Sequence, residues 1–286
     1  MSSPSLGLGQ TEDALRRKWR EFGLGLLNLL AVALVVAAAQ VALKAVIPAQ
    51  GAAVLGLIGL CAYWLGSRWI ERRAVTELAP RRFFPEAAAG LAIGLGLFAG
   101  VMVVLWVVGV YAPGGWGDTA GLGGVVAVGL LSGVLEEIVF RGFLFRLFSR
   151  ITGTWVALLL TAALFGAAHA GNRGATVWSS VAIAVEAGIL LGASYSATRR
   201  LWLPIGLHAG WNFCEGSIFG MAVSGHAMRP GLILGTLSGP PSLTGGEFGP
   251  ESSIVAVVMC VTVAAVFLWW TVKARIVEPA AWSASP

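Results

Sequence analysis

Two adjacent carboxylates, Glu136 and Glu137, interrupt a run of apolar residues long enough to cross a bilayer. The run reads VVAVGLLSGVL before the pair and IVFRGFLFRLF after it. A carboxylate at the bilayer centre costs on the order of 2.5–3.5 kcal/mol on insertion scales. Two in succession demand partners elsewhere in the chain, and the fold must bring those partners to them.

The rest of the chain supports a membrane setting. Of its 286 residues 57% are hydrophobic and 12% charged, against about 25% charged in soluble domains. Runs of about twenty apolar residues fall near 23–47, 51–70, 84–111, 122–148, 154–170, 175–197, 201–222 and 253–274. The expected class is an all-α polytopic membrane protein with about eight transmembrane helices. The fifth run is short, and Pro204, Gly206 and Gly210 break up the seventh, so tilts or kinks are expected there. Placing the connecting segments alternately on two sides puts 16 of the 19 Lys and Arg residues on one side, leaving Lys44, Arg173 and Arg229 on the other. That asymmetry predicts both termini in the cytoplasm.

The organisation expected is a cytoplasmic N-terminal segment over 1–22, one integral membrane domain over 23–275, and a cytoplasmic tail over 276–286. Within the first, TEDALRRKWREF at 11–22 reads as a short basic amphipathic helix on the inner membrane surface. The polar opening and the length of the first apolar run are unlike a cleavable signal peptide. The expected location is a bacterial cytoplasmic membrane, or the endoplasmic reticulum if the chain is eukaryotic. Cys61, Cys214 and Cys260 lie in apolar runs without CxxC spacing and read as small buried packing residues. The +5 net charge forms no basic patch interleaved with aromatics, so no nucleic-acid partner is expected. PGGWGD reads as an outer turn, residues 223–252 as an outer Gly/Pro/Ser-rich loop, and Trp64, Trp69, Trp202, Trp269 and Trp270 as interfacial anchors.

Two of the three histidines fall inside apolar runs, His169 ending FGAAH and His208 opening HAGWN. On helices, Phe165 shares a face with His169 and His208 with Asn212. Glu137 and Arg141 are spaced for an intrahelical ion pair, which leaves Glu136 without a partner on its own helix. An unpaired, desolvated Glu beside a His suits general acid–base chemistry on a water, and His208 with Asn212 could donate to an oxyanion. Peptide-bond hydrolysis within the membrane would use such a set.

EEIVFR, FGAAH and HAGWN together resemble the EExxxR, FxxxH and HxxxN motifs of the CPBP family, whose members include type II CAAX prenyl endopeptidases and bacteriocin-processing and immunity proteins. The resemblance covers about 120–215, the expected catalytic core. It implies that Glu136 and His169 activate the water, that His208 and Asn212 stabilise the oxyanion, and that Glu137, Arg141 and Phe165 support the site. The implied substrate is a membrane-anchored peptide or protein, of CAAX, leader or tail type, met within the lipid bilayer. No metal is obligatory in this glutamate-protease reading. If zinc is used, as in a metalloprotease, Glu136, His169 and His208 would be its ligands, with a position left for water.

Other classes remain in view. The same groups could form a non-proteolytic scaffold or bacteriocin-immunity protein, or a transporter or proton relay. Glu186, within the sixth run, could line the cavity or pair with Arg141. Glu215 reads as a packing or interfacial residue, and His226 as incidental to its loop. GWGD at 115–118 has the letters of an aspartyl motif, but Asp13 in the N-terminal tail is the only other aspartate, and neither GxSxG nor HExxH occurs.

Overall fold

In the computed structural model, which describes residues 5–44, 51–117, 133–226 and 231–281, the chain is a bundle of apolar helices. In chain order they are α1 (Ser5–Lys44), α2 (Gly51–Trp69), α3 (Phe83–Val107), α4 (Gly133–Ala168), α5 (Val177–Thr198), α6 (Trp202–Phe213) and α7 (Ile254–Lys273). Among the described residues, α1, α3, α4, α5 and α7 are long and apolar enough to cross a membrane. The bundle turns Leu27, Leu30, Leu34, Leu57, Leu159, Val258 and Val266 outward, as lipid rather than water requires. The all-α polytopic class is borne out.

Differences from expectation have local causes. The fourth and fifth expected spans are both present as two arms of α4 that meet at Gly153, where φ of 79° and ψ of 171° break the helix and suit glycine. The chain turns back there, which brings His169 within 3.9 Å of Glu136. Residues 122–132 of the fourth lie outside the described residues. The segment at 11–22 continues into the first span as one helix instead of forming a separate surface element. The tail begins by docking: the Thr154 amide donates to the Glu278 carbonyl at 3.0 Å, and Arg199 pairs with Glu278 at 3.0 Å. PGGW is not a turn but part of strand β1 (Tyr111–Trp116), paired antiparallel with β2 (Ile233–Leu237) across a bulge at Pro113/Gly115. Cys214 and Cys260 are buried as expected, whereas Cys61 is exposed. Trp202 is a structural contact: its indole N–H donates to the Ala79 carbonyl at 3.1 Å and its ring meets Phe83 edge-on.

Gly206 and Gly210 do not kink α6; they let it touch α3. A Cβ on Gly206 or Gly210 would strike the carbonyls of Ala87 or Leu91, and one on Gly90 or Gly94 would strike those of Leu203 or Leu207. Two small-xxx-small faces thus interlock backbone to backbone, with His208 carried between the two α6 glycines. A Gly94→Ala variant is expected to lose about 1–3 kcal/mol by overpacking, read as a lower thermal midpoint in detergent.

At the arginine-rich end a buried ionic knot ties α1, α2, α4 and the segment after α2 together. Glu71 accepts from Asn28 at 2.7 Å and pairs with Arg73 at 3.0 Å and Arg146 at 2.8 Å. Arg73 also pairs with Glu77 at 2.6 Å, and Tyr63 donates to Glu77. Arg73, Arg141 and Arg146, all counted on the basic side, are each held in ion pairs with carboxylates. Burial would raise the Glu71 and Glu77 carboxyls, but Arg146 and Arg73 beside Glu71, and Arg73 and Tyr63 bonding Glu77, hold both below the usual carboxylate range. A carboxyl lowered in the folded state stabilises fully above its unfolded value and loses that contribution as pH falls through the folded one. The melting temperature of the wild type should hold from neutrality down to about pH 5 and then drop. In a Glu71→Gln variant the drop should be shallower from a lower starting value.

Candidate active site

Glu137 anchors the centre of the bundle. Its Oε1 accepts from the Arg141 guanidinium at 2.7 Å and from His208 Nδ1 on α6 at 3.1 Å. Arg141, 1% exposed, also donates from Nη2 to the carbonyls of Ala187 at 3.0 Å and Gly188 at 3.1 Å. Those carbonyls lie in a wide π-turn of α5, Ala184–Ile189, and Arg141 lies in another in α4, Ile138–Phe145. Such turns disturb the regular helical ladder and are frequent at functional sites. The ion pair predicted from spacing is present. The tie from His208 to Glu137, which the sequence did not foresee, orients the ring and directs its Nδ1 hydrogen to the carboxylate.

Glu136 points elsewhere, as the helical offset predicts. Its Oε2 lies 3.9 Å from His169 Nε2, and that oxygen is buried without a hydrogen-bond partner. His169 closes α4, with Nδ1 2.8 Å from the Phe165 carbonyl. A carbonyl only accepts, so Nδ1 carries a hydrogen, and in the neutral ring the Nε2 lone pair faces Glu136. This accounts for the FxxxH spacing. The Phe165 ring adds a packing role: its centroid is 4.7 Å from His169, 6.3 Å from His208 and 5.0 Å from the Arg141 guanidinium carbon.

These groups open on a cavity of about 490 Å³. Glu136, Phe165, His169, His208 and Asn212 all line it, so three motifs from α4 and α6 converge on one space. Glu137 and Arg141 stand behind that wall.

Over residues 118–214 the chain matches the family described as type II CAAX prenyl endopeptidase, Rce1-like. It is also 26% identical over 84 residues to the Bacillus subtilis (strain 168) protein named "Putative membrane peptidase YdiL". That similarity covers 29% of this chain and 32% of the relative. No solved structure matches the chain. The matched segment holds all three motifs and resembles a CPBP-type membrane peptidase.

Around the matched segment the structure adds residues the motifs do not contain. Glu186 lines the cavity and does not pair with Arg141, whose Nη2 goes to the next two carbonyls instead. His226, expected to be incidental, lines the cavity too, as do Asn172, Ser224, Trp211 and Glu251. The segment after α6 covers this side: Asn172 Nδ2 donates to the Ser224 carbonyl at 2.8 Å, and the Ser224 amide donates to Glu251 at 2.6 Å. Glu215 is fully buried, with Oε2 accepting from the Trp211 indole at 3.0 Å. No spacing rule links 224–251 to the motifs, and only the general rarity of buried Glu singles out Glu186 and Glu215.

The alternative zinc set was Glu136, His169 and His208. Among the described residues no three His, Cys, Asp or Glu side chains converge closely enough to hold a metal ion. His208 turns Nδ1 to Glu137, which leaves it only Nε2. The donor set as built does not fit a metal, and no step below passes through one.

Arg141→Ala would leave Glu137 buried with His208 as its only partner. A loss of about 3–5 kcal/mol is expected for breaking a buried pair in this way. It should appear as poor recovery of monodisperse protein together with a collapsed melting temperature.

Proposed function

We propose that the protein is an intramembrane endopeptidase that hydrolyses a peptide bond of a membrane-anchored substrate by water activated between Glu136 and His169. The observation that carries this is the pair of acceptors, Glu136 Oε2 and His169 Nε2, 3.9 Å apart on the cavity wall. At that separation one water can donate a hydrogen to each. Its oxygen lone pairs then face the cavity, where a substrate carbonyl would lie.

As the water attacks, Glu136 takes its proton and His169 holds the oxygen in line. The tetrahedral oxyanion receives the Asn212 amide and, when the ring carries both hydrogens, His208 Nε2–H. Glu137 favours that doubly protonated ring by accepting from Nδ1, much as a buried carboxylate orients a catalytic imidazole in other hydrolases. Glu136 then delivers its proton to the leaving nitrogen. The substrate is expected to be a membrane-held peptide of CAAX, leader or tail type, since the cavity lies within apolar helices.

Glu136→Gln should abolish cleavage while the melting temperature stays within a few degrees of wild type. Mass spectrometry of membrane peptides from cells expressing either form reads the outcome, and turnover retained in the variant would overturn the mechanism. Asn212→Ala should lower kcat by about 100-fold, the typical consequence of losing one oxyanion donor.

A further inference from the structure

Beyond the motif residues, the cavity wall is acidic and lacks counter-charge. Glu186 and Glu251 line the cavity, each 2% exposed, and Glu215 is fully buried behind them. The Glu215 and Glu251 carboxyls lie close to each other. Glu251 also accepts the Ser224 amide at 2.6 Å, and Glu215 Oε2 the Trp211 indole at 3.0 Å, while Glu215 Oε1 has no partner. For Glu186 the one hydrogen bond among the described residues comes from the Cys260 thiol at 3.7 Å, a weak donor. Among the described residues no Lys or Arg pairs with any of the three.

Packing alone does not explain Glu186. A buried carboxylate held by nothing stronger than a thiol is destabilising, and an apolar residue would fill its place better. It faces the same cavity as Glu136, whose wall also holds Trp211 and the apolar side chains of Ile183, Leu190 and Leu191. A carboxylate, an aromatic ring and an apolar wall together suit a cation on a methylene stem. A bare metal ion suits them less, since no three such ligands converge here.

We propose that Glu186, with Glu251 and Trp211 beside it, forms a specificity subsite for a Lys or Arg side chain of the peptide substrate near the scissile bond. The proposal rests on the peptidase reading of this cavity. It places the substrate's positive charge against Glu186 while its backbone crosses between Glu136 and Asn212.

The test uses full-length protein in liposomes and membrane-partitioning Leu/Ala peptides in which one residue, Lys or its neutral isostere norleucine, is scanned through successive positions. Binding is measured to the Glu136→Gln protein, cleavage to the protein with Glu136 intact. A Lys peptide should bind about tenfold or more tighter than its norleucine counterpart at one position, the scale of a charged hydrogen bond. Adding Glu186→Gln should bring that ratio close to one. Adding Glu186→Lys should invert it in favour of a Glu peptide, and a melting curve for each protein checks folding. Equal binding of the two peptides at every position, or a Lys preference that survives Glu186→Gln in a folded protein, overturns the subsite. A Glu186-dependent Lys preference in binding with no cleavage by the unsubstituted protein would uphold the subsite and overturn the peptidase reading. Cleavage with no such preference does the reverse.

Discussion

The bundle is organised around one buried carboxylate. Glu137 sits where water cannot reach it, so its charge must be met by protein groups, and a partner lost there is expensive. Arg141 supplies the charge from the same helix, and its remaining donors reach the α5 backbone. His208 brings α6 to the same oxygen. Three helices are thereby fixed in register by one side chain, and the glycine interlock of α3 against α6 fixes the fourth. This arrangement specifies geometry more than it adds stability, because the desolvation of both ions offsets much of their attraction.

The wide turns show how regular helices accommodate such a centre. A continuous α-helix uses its carbonyls internally, and Arg141 needs two of them from α5. The turn at Ala184–Ile189 presents those of Ala187 and Gly188 and puts Glu186, one residue earlier, on the cavity wall. The turn at Ile138–Phe145 accommodates the other partner, and a third, Cys214–Ile218, contains Glu215. Each wide turn accompanies a charged residue that a straight apolar helix would have no means of holding.

Much of this was legible in the sequence because membrane physics makes polar residues conspicuous. The apolar runs predicted the class, and four-residue spacings predicted the Glu137–Arg141 pair and the shared faces of Phe165 with His169 and His208 with Asn212. The offset of about 100° between neighbouring helical positions predicted that Glu136 and Glu137 would point to different partners. What was not legible depends on contacts between distant segments. Nothing local ties His208 to Glu137 across 71 positions, or brings Glu251 to Ser224 across 27. The roles of Gly206 and Gly210 were misread because a glycine in a helix looks alike whether it bends the rod or admits a neighbour. Of the arginines counted on the basic side, Arg146 reaches its partner Glu71 across 75 positions, which no local rule foresees.

The two halves of the glutamate pair therefore differ by environment rather than by chemistry. Glu137 is saturated by a guanidinium and an imidazole, so it cannot move a proton without dismantling the helix contacts that depend on it. Glu136 has one buried oxygen with no donor and an imidazole lone pair 3.9 Å away. With a neutral His169 ring these are two acceptors, which repel unless one hydrogen-bearing group bonds to both. Saturating the first carboxylate is what leaves the second unpaired: if Arg141 and His208 were not committed to Glu137, either could neutralise Glu136, and the cavity would hold a salt bridge instead of an open carboxylate.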